Sequence, residues 1–191
     1  MRVIAGTAKG VPLRAPKSVT RPTTDRVREA VFSTLADWAA AGGEPAERQL
    51  AGLSLLDLYA GSGAVAIEAM SRGASQAVAV DLAAPAVAAI RSNALAAGVP
   101  VTGVRAPVDA FLGGTPTPFG IVWLDPPYDL SDDAVDDALA LVARGWLAQG
   151  GIVAAERSAR GRGPRWPAGL SPMASRRYGE TVVHYAQEDA S

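Results

Sequence analysis

From Leu53 onward, short apolar runs alternate with longer stretches in which apolar residues recur at helical spacing. The apolar runs predict buried strands at Leu55–Tyr59, Ala77–Val80, Val101–Arg105, Ile121–Leu124 and Ile152–Ala155. The stretches between them predict helices at Val65–Ser71, Pro85–Ala97 and Asp132–Ala143, with a short one near Asp109–Leu112. Because strands joined by helices require crossover connections, we predict an α/β fold with a parallel sheet covered by helices on both faces.

The two ends of the chain show a different, β-prone pattern. Near the start, Arg2–Ala5 and Val11–Arg14 flank a glycine-containing stretch, which predicts a small basic hairpin. Near the end, Met173–Tyr178 and Thr181–Tyr185 flank Gly179, which predicts a closing antiparallel hairpin.

A helix is predicted between the first hairpin and the alternating region. Thr24 or Asp25 can cap it, and Gly42-Gly43 would end it. Its apolar positions are Val27, Val31, Leu35 and Trp38. We therefore divide the chain into a hairpin extension over residues 1–20 and a main domain over residues 21–191 that includes this helix.

Composition narrows the classes of protein that fit. The 191 residues suit one domain, and the absence of cysteine excludes disulfides, thiol nucleophiles and thiolate zinc sites. The single histidine, His184, lies in an alternating segment and is predicted to be a strand residue, so we expect no metal site. Because no long apolar run is present, we expect a cytoplasmic protein without a membrane partner, and we further expect it to be a monomer.

The formal net charge of −1 hides a marked asymmetry along the chain. Residues 1–28 contain seven basic residues and one acidic residue, and residues 157–177 contain six basic residues and no acidic one. The stretch between them contains five basic and fifteen acidic residues. Two basic segments beside an acidic body suggest a polyanion partner at the edge of a catalytic domain, although solvated basic loops are the alternative.

The stretch Asp57–Ala66, which reads DLYAGSGAVA, follows a predicted strand and opens a predicted helix. Glycines at such a turn let the backbone approach a ligand closely. Asp81 ends the next strand, 20 residues after Gly61, where its carboxylate can accept hydrogen bonds from ribose hydroxyls. The pattern predicts a nucleoside site, but it also fits the dinucleotide fingerprint, so an NAD-dependent oxidoreductase stays open, as does a turn without a ligand.

The position of Asp57 favours S-adenosylmethionine over a dinucleotide. A carboxylate beside the glycine turn would repel a pyrophosphate and attract an ammonium group. S-adenosylmethionine carries an ammonium group, a sulfonium, a ribose and an adenine, and it has no phosphate. Asp109, just past the third strand, is placed to accept from the adenine amine, although a helix cap is the alternative role.

The residues Asp125-Pro126-Pro127-Tyr128 end the predicted strand before them. The Asp125 carboxylate and the Pro126 carbonyl can accept hydrogen bonds from an exocyclic amine of a nucleobase and aim its lone pair at a methyl donor. The prolines fix the backbone and remove amide donors, and Tyr128 offers a ring on which a base stacks. A proline-rich turn with a packed tyrosine is the alternative.

These two motifs together resemble those of the amino-directed, S-adenosylmethionine-dependent methyltransferases. The segments Arg2–Gly6, Lys9-Gly10, Arg21–Phe32 and Arg177–Thr181 further resemble the bacterial RsmD family. This resemblance runs from the first residues to about Tyr185.

The resemblance implies a Rossmann-like methyltransferase fold, with a mainly parallel seven-stranded sheet and an antiparallel last strand. It implies methylation of the N2 amine of guanine 966 in 16S rRNA, with the small ribosomal subunit particle as partner. The target-base motif would be Asp125, Pro126, Pro127 and Tyr128. The cofactor-binding residues would be Asp57, Tyr59, Ala60, Gly61, Gly63, Asp81 and Asp109. Asp81 stands where glutamate is common in the family, which shortens the reach of the carboxylate.

The basic residues near the start of the chain are expected to bind RNA phosphates and guide a loop nucleotide into the pocket. They are Arg2, Lys9, Arg14, Lys17, Arg21, Arg26 and Arg28. Arg21 and Thr23 would alternatively line the cofactor entrance, and Glu29 and Glu68 are predicted to be ion-pair partners on helix surfaces. A non-catalytic RNA-binding ribosome-assembly factor is a third function that these residues leave open.

Overall fold

A computed structural model of the chain describes residues 1–15 and 24–189. Its strands are β1 (Ser54–Leu58), β2 (Gln76–Asp81), β3 (Thr102–Arg105), β4 (Phe119–Leu124), β5 (Leu147–Ser158), β6 (Leu170–Tyr178) and β7 (Thr181–Glu188). Its α-helices are α1 (Asp25–Trp38), α2 (Ala64–Ser71), α3 (Ala84–Ala97), α4 (Val108–Leu112) and α5 (Asp132–Val142). A 3-10 turn lies at Ala46–Arg48. The strands and helices predicted from Thr24 onward are thus present, with boundaries shifted mostly by one or two residues.

All seven strands form one sheet in the order β3-β2-β1-β4-β5-β7-β6. Strands β1 to β5 pair in parallel, and β7 is antiparallel to both of its neighbours, β5 and β6. Because a tight turn at Gly179 joins β6 to β7, the last strand must run back along the strand before it. The mainly parallel sheet with a reversed last strand is therefore confirmed.

The helices cover both faces of the sheet, as predicted. On one face, Leu55 packs with Phe32 of α1 and Ile90 of α3. On the other face, Leu56 packs with Leu139 of α5 and with residues of α4. Side chains alternate along a strand, so Asp57 shares the face of Leu55 and points toward the α1–α3 layer.

Side-chain caps fix the starts of two helices. Thr24 Oγ1 accepts a hydrogen bond from Val27 N at 3.3 Å, which confirms the predicted start of α1. Ser131 Oγ accepts from Ala134 N at 3.2 Å and starts α5 directly after the Asp125–Tyr128 segment. Helix α1 ends at Trp38, earlier than predicted, because the chain turns at Ala40 with a φ of 55°.

The predicted N-terminal hairpin is much smaller than expected. Arg2 and Pro12 form a single antiparallel bridge, and Val3 N donates to Val11 O at 2.9 Å. The segment packs onto the main domain instead of projecting from it, because Val3 and Leu13 share a buried apolar cluster with α2 and α3. The predicted domain boundary near residue 20 falls outside the described residues and stays a prediction.

The longest helices of the described ranges are α1 and α3, with 14 residues each. No helix within those ranges combines the length and the apolar composition that crossing a bilayer requires.

Candidate functional site

A cavity of about 850 Å³ lies at the carboxyl ends of the parallel strands. Strand β1 pairs directly with β4, so Leu58 and Leu124 are neighbours at the ends of the two strands. The glycine turn after β1 and the Asp125–Tyr128 segment after β4 therefore form adjacent walls. Of the predicted site residues, those that line the cavity are Asp57, Tyr59, Ala60, Gly61, Asp81, Asp109, Asp125, Pro126, Pro127 and Tyr128.

Gly63 is the predicted cofactor residue that does not line the cavity. It caps α2 with a φ of 75°, and a Cβ atom at this position would lie 3.0 Å from Cγ1 of Ile90. The glycine is therefore required for the close packing of α2 against α3 and for the left-handed backbone. Tyr59 also adopts a positive φ, of 62°, which turns the chain sharply out of β1 and into the cavity wall.

Asp57 is buried beneath the glycine turn. Its Oδ2 accepts a hydrogen bond from Ala66 N at 3.1 Å, in the first turn of α2. Burial raises the pKa of Asp57 well above its ordinary value, and the negative charges of Asp125 and Asp81 raise it further, while the bond from Ala66 opposes them. A cation bound in the cavity would relieve this unfavourable charge.

Asp81 stands at the end of β2 and is held at both carboxylate oxygens. Oδ2 accepts from Gly61 N at 2.8 Å, and Oδ1 accepts from Ala83 N at 2.8 Å. The Gly61 amide, which a dinucleotide site would direct at a phosphate, is thereby occupied by a carboxylate. The remaining lone pairs of Asp81 face the cavity wall, where they can accept hydrogen bonds from a ligand.

Asp109 lies in the first turn of α4, just past β3, and lines the same cavity. Its Oδ1 accepts from Ala110 N at 2.8 Å, so part of the carboxylate interacts with its own helix. Burial and the nearby Asp109 charge raise the pKa of Tyr59, which keeps the phenol neutral.

The Asp125–Tyr128 segment leaves β4 along the edge of the cavity. The amide of Asp125 donates to Leu58 O at 3.4 Å, Pro126 is buried, and the Tyr128 side chain is half exposed. Further along, Leu130 N donates to Pro127 O at 3.0 Å, which closes a turn before α5. The segment is thus tied to β1 at its start and to α5 at its end.

The charge of the cavity wall is strongly one-sided. Among the described residues, six aspartates line it, and no lysine or arginine does; the aspartates are Asp57, Asp81, Asp109, Asp125, Asp129 and Asp137. Such a wall favours a cationic ligand and disfavours a pyrophosphate. This property separates the site from a dinucleotide site more clearly than the glycine spacing does.

Sequence analysis missed several residues that line the cavity. From α5 these are Ala134, Asp137, Ala138 and Leu141, and from elsewhere they are Met1, Ser62, Ala64, Val65, Leu82, Pro107, Val108, Trp123, Asp129 and Leu130. The α5 residues recur at three- and four-residue spacing, which marks one helix face and would have allowed their prediction. Met1 has no comparable signal in the sequence, because it reaches the cavity only through the packing of residues 1–15 on α2. The sulfur of Met1 lies 3.9 Å from Ser62 Oγ.

The basic residues predicted to bind RNA occupy different environments. Arg2, Lys9, Arg14 and Arg26 are exposed or partly exposed, and Lys17, Arg21 and Thr23 lie outside the described residues. Arg28, in contrast, is buried. Its Nη2 donates to Arg2 O and to Asp25 Oδ1, and its Nε lies 3.8 Å from Glu68 Oε2. This position does not support the predicted phosphate contact, because packing of the N-terminal segment over α2 covers the guanidinium.

The prediction that Glu68 forms an ion pair on the surface of a helix was wrong. It is fully buried, and its carboxylate accepts from Ile4 N at 2.7 Å, Ala5 N at 3.0 Å and Arg72 Nε at 2.8 Å. The backbone of residues 1–15 covers it, which the local spacing on α2 did not indicate. Glu29 lies on the exposed face of α1, which agrees with the predicted surface position, while its ion pair stays a prediction.

The arginines at the end of β5 and directly after it divide into two groups. Arg157 and Arg162 turn back onto α5, where Arg157 Nη2 lies 2.7 Å from Asp132 and Arg162 Nη2 lies 2.7 Å from Asp136. Arg160 remains at the surface. His184 lies in β7 as predicted, with Nδ1 2.8 Å from Ser175 Oγ; burial and then the charge of Arg157 lower its pKa.

Comparison with known proteins places this architecture in a family. A family model described as "Conserved hypothetical protein 95" matches residues 1–187. The chain is 30% identical over 194 residues to the Escherichia coli K12 protein called ribosomal RNA small subunit methyltransferase D, covering all of this chain and 91% of that protein. It is 39% identical over 94 residues to the putative rRNA methyltransferase YlbH of Bacillus subtilis, which covers 49% of this chain and 45% of YlbH.

Solved structures agree with this placement. A putative methyltransferase, yhhF, from Escherichia coli superimposes with a TM-score of 0.85 at 28% identity, covering 100% of this chain and 99% of the other. A hypothetical protein from Thermus thermophilus superimposes with a TM-score of 0.78 at 29% identity, covering 97% and 98%. By its family match, its full-length relative and its fold, the chain belongs to the conserved hypothetical protein 95 family, the RsmD family of methyltransferases.

Proposed function

We propose that this protein transfers a methyl group from S-adenosylmethionine to the N2 amine of guanine 966 in 16S rRNA. In this proposal its partner is the small ribosomal subunit particle, and it acts as a cytoplasmic monomer. The name of the Escherichia coli relative supports ribosomal RNA of the small subunit as the substrate class. The choice of guanine and of its position rests on the family resemblance of the motifs.

One observation carries the proposal. The pairing of β1 with β4 brings the glycine turn and Asp57 into the same cavity as the Asp125–Tyr128 segment. A cofactor held by the glycine turn and Asp57, the first wall, and a base held by Asp125–Tyr128, the second wall, would therefore meet in one cavity. Proximity of this kind supplies a large part of the rate of a group transfer.

The residues of the first wall fit S-adenosylmethionine. Asp81 can accept from the ribose hydroxyls, and the buried Asp57 favours the cationic methionine end. The six aspartates of the cavity wall, with no described basic side chain among them, suit a ligand that has positive charge and no phosphate. When bound, S-adenosylmethionine supplies a methyl group on a positively charged sulfur.

The residues of the second wall fit an amine acceptor. The Asp125 carboxylate and the Pro126 carbonyl accept hydrogen bonds from the two N–H groups and direct the nitrogen lone pair toward the donor. A nitrogen–carbon bond forms as the carbon–sulfur bond breaks, and the amine then loses a proton to solvent. Tyr128, half exposed at the cavity rim, stacks on the extruded base.

The central test is transfer of labelled methyl groups to undermethylated small-subunit particles. Because Asp125 orients the amine, Asp125→Ala is expected to lower kcat by about 10²- to 10³-fold while S-adenosylhomocysteine still binds. Asp133→Ala serves as a control, since it removes the same charge from an exposed residue just beyond the loop that does not line the cavity; it is expected to change the rate only a few-fold. Full activity of Asp125→Ala would contradict the assigned base site.

Two further measurements separate this function from the alternatives. Calorimetric titration with S-adenosylhomocysteine and with NAD is expected to show binding of the first alone; selective binding of NAD would reject the methyltransferase. Mass spectrometry of 16S rRNA from a strain that lacks the gene is expected to show loss of N2-methylguanosine at position 966. An unchanged modification there would reject the target while leaving methyl transfer itself untouched.

A further inference from the structure

A second, smaller groove adjoins the cavity on the side of β5 and β7. It has a volume of about 150 Å³ and is lined by Tyr128, Ser158, Arg160 and Glu180. Tyr128 also lines the main cavity, and 51% of its surface is exposed. The tyrosine therefore stands at the boundary between the two spaces and belongs to both.

We propose that this groove binds the nucleotide next to the target base in the RNA strand. The inference rests on the proposed function, because it takes the main cavity to be the place where the target base lies. It adds a second nucleotide site, outside the cofactor and target-base motifs, and assigns it to residues at the ends of β5 and β7.

The groove carries the kinds of group that bind single-stranded RNA. An aromatic ring stacks on a base, a guanidinium binds a phosphate, and a carboxylate and a hydroxyl form hydrogen bonds with base edges. All of these groups are present within one groove of four residues. A base extruded from an RNA loop brings its neighbour to the cavity mouth, because adjacent nucleotides share a phosphate.

Arg160 lines the groove, and its guanidinium can turn toward RNA at little energetic cost. It pairs with Glu180 at 2.8 Å, but the two side chains are 84% and 57% exposed. Exposed ion pairs of this kind contribute little, so the guanidinium can exchange the carboxylate for a phosphate. Arg157 and Arg162, in contrast, are held by the aspartates of α5.

The backbone of the groove is held in place before any RNA binds. Ala159 N donates to Glu180 O at 2.8 Å, and Arg160 N donates to Ser158 Oγ at 3.2 Å. On the facing side, Arg157 Nη2 donates to Leu130 O at 3.4 Å, which ties the loop that carries Tyr128 to the end of β5. Both walls are therefore attached to the same sheet.

The proposal predicts a specific crosslink. Small-subunit particles would carry 4-thiouridine at the nucleotide on either side of the target guanine, and the bound complex would be irradiated. One of the two positions is expected to crosslink to a peptide that contains Tyr128, or residues 158–160, or Glu180. If both positions crosslink only to other parts of the chain, the groove is not the site.

Substitution of Arg160 gives an independent test by RNA binding. Arg160→Gln is expected to weaken binding to the particle about tenfold and to reduce the slope of log K against log salt by about one. Arg144→Gln is the matched control, because Arg144 is exposed and precedes the amino end of β5, whereas Arg160 follows the carboxyl end of the same strand. Affinity for S-adenosylhomocysteine is expected to be unchanged in both variants.

The outcomes separate this inference from the proposed function. If Arg160→Gln binds the particle like Arg144→Gln, the groove proposal is overturned, whatever the rate of methylation. If the wild-type protein binds the particle, crosslinks through the groove and transfers no methyl group, the proposed reaction fails and the groove stands. Failure of the wild-type protein to bind the particle overturns both.

Discussion

The amide nitrogen of Asp125 donates a hydrogen bond, 3.4 Å long, to the carbonyl oxygen of Leu58. This bond continues the pairing of β4 with β1 beyond the last paired residues, Leu124 and Leu58. It holds the start of the Asp125–Tyr128 segment beside the start of the glycine turn. The distance between the two walls of the cavity is therefore set by the sheet and not by the conformation of a free loop.

The packing of Gly63 predicts a large loss of stability for Gly63→Ala. The new methyl group would lie 3.0 Å from Ile90 Cγ1, and alanine is strained at a φ of 75°. We expect the free energy of unfolding to fall by about 2–4 kcal/mol, measured by chemical denaturation. Gly98→Ala is the control, because its φ is 66° and a Cβ there meets nothing within 4 Å; it isolates the backbone cost of about 1 kcal/mol. Equal losses in the two variants would show that contact with Ile90 is unimportant.

The burial of Glu68 predicts that it anchors the N-terminal segment. Glu68→Gln removes the charge that faces Arg72 and Arg28 and one acceptor of the Ile4 and Ala5 amides. We expect a loss of about 3–5 kcal/mol in the free energy of unfolding and faster proteolytic cleavage within residues 1–15. Glu29→Gln, on the exposed face of α1, is expected to change stability by less than about 0.5 kcal/mol. A stable Glu68→Gln protein with a protected N-terminal segment would contradict this role.

The raised pKa of Asp57, caused first by burial, predicts a pH dependence of stability. The folded protein binds this proton more tightly than the unfolded chain, whose ordinary pKa is 3.8. The wild-type protein therefore loses this contribution as pH rises from about 3.8 to the raised folded pKa. Asp57→Asn keeps an acceptor for Ala66 N and removes the titration. Denaturation at a series of pH values is expected to show that the variant gains stability relative to the wild type as pH rises through that window. If the difference in free energy of unfolding between the two proteins stayed constant with pH, the pKa of Asp57 would not be raised.

The contacts of Arg157 predict that this residue affects catalysis although it does not touch the substrate. It is buried and ties Leu130 O and Asp132 to the end of β5, so it positions the loop that carries Tyr128. Within the proposed function, Arg157→Met is expected to lower kcat about 10- to 100-fold, because a misplaced loop misaligns the base, while S-adenosylhomocysteine affinity stays the same. Arg157→Lys should recover part of the rate. Arg165→Met is the control, because Arg165 is an exposed arginine of the same segment. If Arg165→Met were as slow as Arg157→Met, the loss of rate would be a general effect of charge.

The strands and helices of the central region were predictable because their signal is local. Buried parallel strands consist of nearly continuous apolar residues, and each is followed by residues at helical spacing. Strand β5 shows the limit of this signal: only Ile152–Ala155 was predicted, while the strand extends from Leu147 to Ser158. Gly150, with a φ of 68°, interrupts the apolar run without ending the strand.

The parts that were mispredicted depend on contacts between distant residues. The buried positions of Arg28 and Glu68 arise when residues 1–15 fold across α2, and charged residues on a helix otherwise indicate a solvent-exposed face. The cavity residues of α5 and Met1 likewise become neighbours of the site only in three dimensions. The adjacency of β1 and β4 could not be predicted from periodicity, because periodicity indicates strands but not their order in the sheet.

Strand β4 is synthesised well after β1, the strand with which it pairs. Asp57 and Asp125 are separated by 68 positions, and β2, β3 and three helices are synthesised between them. A nascent chain that has emerged only as far as β3 therefore exposes one edge of β1, with unpaired backbone groups and apolar side chains. The cavity is complete only after β4 has paired with that edge and α5 has followed, so ligand binding at this site reports that this part of the domain has folded.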